Sequence, residues 1–132
     1  MHCPVEIARA CASLDRSPAS GLHDPGDKTK RYLIAIYGDE QAWASLSPAD
    51  MEREMGAYFA YSTELSQSGK LVASEELHPV ATAKTVRVSA GGAAVKDGHY
   101  AEVKEQFGGF YLIDVADEAE AVAWAKKCPG AR

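Results

Sequence analysis

An α+β fold with a mostly antiparallel sheet and helices on one face is predicted by the order of elements from Lys30 onward. That order is strand, helix, strand, strand with a hairpin extension, strand, helix. Three observations carry the prediction. Tyr32–Tyr37 is a continuous apolar run of strand length that reads as a central strand buried on both faces, and Phe110–Val115 is a second apolar strand. Each run is followed by a segment that begins with helix-capping chemistry and continues with an apolar stripe. Between the two lie shorter alternating segments punctuated by glycine and proline, as hairpin-connected strands require.

Gly38-Asp39 ends the first run. Ser47-Pro48-Ala49-Asp50 then opens a helix, with Ser47 as N-cap, Pro48 at the first helical position and Asp50 placed for the helix dipole. Met51, Met55, Tyr58, Phe59, Ser62 and Leu65 share one helical stripe, and the two methionines read as core filler. Gly69 is the stop. Lys70–Leu77 is a shorter strand, broken by His78-Pro79 because proline cannot donate to a ladder. Thr85–Val88 alternates, Gly91-Gly92 turns the chain into Ala93–Lys96, and Asp97-Gly98 marks another turn. After Phe110–Val115, Asp117 stands three residues before Glu120 as in a capping box. Ala121, Trp124, Ala125 and Cys128 follow on one face, and Pro129-Gly130 stops the helix.

The 132 residues suit one domain able to bury a core without staples. A formal net charge of −5 argues against a nucleic-acid surface. No apolar run approaches the roughly 20 residues of a membrane span. Glu6 and Arg9 interrupt the N-terminus, so it does not read as a secretory signal. Cys3, Cys11 and Cys128 form no disulfide framework, and reduced thiols in a cytoplasmic setting are expected, although Cys3 and Cys128 are candidates for proximity. His2, His23, His78 and His99 lack metal-ligand spacing, so neither a metal nor a cofactor is expected.

Two segments resemble the YCII-related family, specifically its branch named for an Asp-Gly-Pro-Phe motif. They are Tyr32–Glu40 and the long run Asp97–Ile113 (Asp-Gly-His-Tyr-Ala-Glu-Val-Lys-Glu-Gln-Phe-Gly-Gly-Phe-Tyr-Leu-Ile). The resemblance spans about Lys30 to Gly130 and implies a ferredoxin-like α/β sandwich that forms a homodimer through its sheet, a dimeric α/β barrel. His99 and Tyr100 depart from the motif, standing where it has proline and phenylalanine. Family members also resemble one another in a last strand after Pro-Gly. Here the segment of that type is Cys3–Arg9, near the N-terminus. The expectation is a circular permutant: residues 1–10 supply the last strand, 11–29 form a Ser-, Pro-, Gly- and Asp-rich linker, and 30–132 form the body. The other reading is an unrelated tail that leaves a sheet edge unpaired.

The candidate catalytic residues are Asp97, His99 and Glu102. An aspartate and an imidazole two residues apart can share a strand face and exchange protons near neutral pH. Asp-Gly also occurs in turns for backbone reasons alone, and His99 also reads as an exposed loop residue. Tyr37 at a strand end, Tyr100 and Glu105 are candidate ligand contacts; the charged ones also read as a solvated shoulder. Gly108-Gly109 reads as a bulge or close backbone approach rather than a phosphate loop. By resemblance, the function is binding of a small polar or aromatic molecule, with cofactor-free acid–base chemistry of the isomerase or lyase type. The alternative is a non-catalytic regulatory or interaction module associated with sigma-factor signalling.

Overall fold

The computed structural model describes residues 5–10, 29–98 and 104–132. Its elements are β1 (Val5–Arg9), β2 (Lys30–Gly38), α1 (Glu40–Ala44), α2 (Pro48–Gln67), β3 (Leu71–Glu76), β4 (Lys84–Ser89), β5 (Gly92–Asp97), β6 (Gln106–Val115) and α3 (Glu118–Lys127). Short 3₁₀ turns occupy Val80–Thr82 and Pro129–Ala131. β1, β2, β6 and β3 form one antiparallel sheet in that order, consistent with a ferredoxin-like arrangement. β4 and β5 form a separate hairpin.

The apolar runs become β2 and β6 at the middle of the sheet because such strands are covered by neighbours on both edges. Alternation then assigns their faces. Tyr32 and Ile34 of β2, with Tyr111, Ile113 and Val115 of β6, face the helices. There they join Tyr61 and Leu65 of α2 and Ala121, Trp124, Ala125 and Cys128 of α3 in one core. Leu33, Ala35, Phe110 and Leu112 occupy the alternate positions on the opposite face. β1 runs antiparallel along the outer side of β2, from Val5 opposite Ile36 to Arg9 opposite Tyr32. Val5, Ile7 and Ala131 line one shallow depression there, so the Pro129–Ala131 turn lies beside β1.

Local chemistry explains the helix ends. Ser47 Oγ accepts the Asp50 amide at 3.1 Å, and Asp117 Oδ1 accepts the Glu120 amide at 2.9 Å. These bonds satisfy amides that a helix start otherwise leaves orphaned. Glu120 also accepts from the Ala116 amide and pairs with Lys70, and the Lys70 ammonium and that amide lower its pKa.

One helix went unread in the sequence. α1 is capped by Asp39, whose carboxylate accepts the Gln41 and Ala42 amides at 2.9 and 3.3 Å. Five residues are too few to show helical periodicity. The stripe of α2 also needs correcting. The fully packed positions are Tyr61 and Leu65, whereas Phe59 is 76% exposed and Met55 is 50% exposed. The N-terminal half of α2 extends past the close-packed core, so Met51 and Met55 are wall residues of a cavity rather than core filler.

Candidate functional site

A cavity of about 780 Å³ opens between α1, the N-terminal half of α2 and the end of the sheet formed by β2, β6 and β3. The geometry of β6 creates the room. In the β2–β6 ladder Ile36 faces Gly109 while Tyr37 faces Phe107, so Gly108 is the extra residue of a bulge. At Gly109 the β3 backbone approaches so closely that a Cβ would stand 2.9 Å from the Glu75 carbonyl oxygen. The two glycines thus bend and tighten the sheet where the cavity forms. No side chain fills that stretch of β6.

The walls are mainly apolar. Trp43 of α1 and Tyr58 of α2 meet with ring centroids 6.3 Å apart and an interplanar angle of 44°. Met51, Met55 and Phe59 continue the helical wall. On the sheet side, Ser74 and Glu76 of β3 stand opposite Tyr111 and Gly109 of β6, which places both on the helix-facing side. The Ser62 and Tyr111 hydroxyls hydrogen-bond to each other at 2.8 Å within the lining. Burial pushes the Tyr111 phenol above its ordinary pKa, a shift partly opposed by Ser62. Glu40 braces the rim: its Oε1 accepts the Val80 amide at 2.8 Å, tying α1 to the turn that leads into the hairpin. Large, mainly apolar concavities with a few placed polar groups are the usual form of a small-molecule site.

The sequence-predicted residues are distributed differently. Asp97 ends β5 with its side chain exposed and ion-paired to Lys84 across the hairpin. It does not line the cavity. The turn after it is real: Gly98 has φ +91°, donates its amide to Ala83 and accepts from Thr85 Oγ1. His99, Tyr100 and Glu102 lie outside the described residues. Glu105 is exposed just before β6. Tyr37 stacks at a tilt on Phe107, with centroids 5.7 Å apart. Its hydroxyl donates to the Glu6 carboxylate of β1, and that bond, with burial, raises its pKa. Tyr37 is therefore a strand-to-strand contact rather than a cavity residue. Cys128 is buried in the core, while Cys3 lies outside the described residues.

Glu40, Trp43 and Glu76 were missed as cavity residues. Trp43 lies within the five-residue α1, too short for a periodicity that would mark which way its ring faces. Glu76 was masked by its place in a short, mixed strand.

A two-layer α+β unit with a preformed cavity between its layers is the class that fold and site define. The YCII-related domain model matches residues 30–132, and the chain belongs to that family. A relative is an uncharacterized protein of Rhizobium meliloti (strain 1021). It is 40% identical over 95 residues, covering 72% of this chain and 77% of that protein. β1 precedes the matched span, although it pairs along the same sheet.

Proposed function

We propose that this protein binds a small organic molecule in the cavity between α1, α2 and the bulged end of the sheet. One observation carries the reading. The bulge at Gly108 and the turn of α1 hold open about 780 Å³ walled by Trp43, Tyr58, Phe59 and two methionines. Leaving that apolar area wet is unfavourable, at roughly 25 cal/mol per Å². Acid–base chemistry by Asp97, His99 and Glu102 is a separate reading, which would put a substrate at the Asp97 turn rather than in this cavity. It requires Asp97 to exchange its Lys84 partner for a substrate group.

The protomer is proposed to work as a homodimer joined through the sheet face that carries Leu33, Ala35, Phe110 and Leu112. β1 is proposed to be the permuted last strand of the family fold. Counting from β2, the observed order β1-β2-β6-β3 becomes fourth-first-third-second, and the Ala131 end of the body lies beside Val5.

The binding reading is tested by titrating 2-(1-naphthyl)ethanol into the full chain while following tryptophan emission. Saturable change in wild type and its loss in Trp43→Phe support the cavity. An equal response in Trp43→Phe would mean that Trp124 or another surface reports, and would refute it.

The β4–β5 hairpin favours the interaction-module reading. Val86, Val88 and Val95 lie on one of its faces and are 60%, 79% and 66% exposed. An isolated two-stranded ribbon of this kind has little core of its own.

A further inference from the structure

We propose that the cavity selects an organic cation: a molecule with a flat or otherwise apolar body and one ammonium-type charge. The proposal rests on the binding reading above and adds the sign of the ligand's charge to it. Among the described lining residues the carboxylates on the cavity side are Glu40 and Glu76, while Glu75, opposite Phe110, turns its side chain to the other face of the sheet. Lys, Arg and His are absent from that lining. Glu40 is held at the rim by the Val80 amide, which engages one of its two oxygens. Glu76 stands opposite Gly109 on the cavity side of β3 and is exposed.

The aromatic wall points the same way. The Trp43 and Tyr58 rings meet at a tilt and border the cavity together. The faces of such rings attract a cation through their quadrupoles. A ligand with an apolar body fills the space between Met51, Met55 and Phe59 and carries its charge to the glutamates.

An anion finds the opposite conditions. The first amides of α1 are already capped by Asp39, so that helix start offers no donors. The Ser62 and Tyr111 hydroxyls are paired with each other, which uses one of their two protons. A carboxylate or phosphate would lose water beside the like charges of Glu40 and Glu76, with no cationic side chain among the described lining residues to compensate. The net charge of −5 draws cations toward the protein from a distance as well.

Three naphthalene probes of matched shape test this by calorimetry on the full chain: 2-(1-naphthyl)ethylammonium, 2-(1-naphthyl)ethanol and 1-naphthaleneacetate. At low salt the ammonium is expected to bind about tenfold or more tightly than the alcohol, with the acetate weakest; a tenfold gap is about 1.4 kcal/mol. The gap should narrow as ionic strength rises to ~0.15 M, where charges are screened beyond about 8 Å. It should close in the Glu40→Gln/Glu76→Gln double variant, which preserves shape and the Val80 contact. If the alcohol or the acetate matches the ammonium, or the double variant keeps the preference, cation selection is overturned while binding in the cavity stands. If all three probes fail to bind, the cavity reading falls with it.

Discussion

At Gly109 the sheet has no space for a methyl group. A Cβ there would lie 2.9 Å from the Glu75 carbonyl oxygen, and both sides of that contact are backbone. Gly109→Ala is expected to cost about 1–3 kcal/mol, the usual effect of overpacking. Urea denaturation should show it as a lower midpoint with an unchanged slope. The same approach was legible in the sequence, since a glycine pair at the head of an apolar strand has few other uses. Tyr61 shows the opposite situation, a role the sequence concealed. Its hydroxyl donates to the Trp124 carbonyl at 3.1 Å, satisfying one of the last acceptors of α3. Burial raises its pKa far above the ordinary 10, and burial also raises that of Tyr111. The folded chain therefore keeps protons that the unfolded chain releases above about pH 10. Stability is complete below that pH and falls as pH rises through and beyond it. Tyr61→Phe should lower the neutral-pH stability by about 0.5–1.5 kcal/mol through the lost hydrogen bond. It should also flatten the alkaline decline, as followed by circular dichroism between pH 8 and 12. An unchanged alkaline profile would mean that the ring is not held protonated by the fold.

Among the elements, the long ones were legible and the short one was not. β2, β6, α2 and α3 each carry a capping residue or a continuous apolar run, although β2 begins two residues and β6 four residues before its apolar run. α1 has five residues and announces itself only through Asp39, which also reads as the end of a strand. Because α1 forms one wall of the cavity, the cavity is not legible without it. The hairpin β4–β5 was read correctly as strands, yet its Val86–Val95 pair faces solvent rather than a core. Alternation specifies that two residues share a face but not what covers the face. Replacing Val86, Val88 and Val95 with threonine is expected to change the protomer's thermal unfolding little, within ~0.5 kcal/mol as for other exposed sites. Sedimentation velocity should show weaker self-association if the hairpin meets a second copy. A collapse of the melting temperature would show instead that these valines pack within their own chain.

For the whole molecule, the sheet order and the placement of both long helices on one face create two layers that separate at one end. The core side chains from Tyr32 to Val115 close the layers where α3 packs. The bulge, the two glycines and the overhang of α2 leave them apart where α1 sits. Separation of the layers arises from tertiary spacing, so the cavity cannot be read from any single segment. Trp43 lies in the cavity wall, whereas Trp124 of α3 lies in the close-packed core. They provide the most direct test of ligand binding in the cavity. In a two-dimensional ¹⁵N spectrum recorded during titration with 2-(1-naphthyl)ethylammonium, the Trp43 indole N–H should move progressively to saturation. The Trp124 indole and the Gly98 amide should stay in place. Movement of Gly98 with a stationary Trp43 indole would place the ligand at the Asp97 turn and contradict the account.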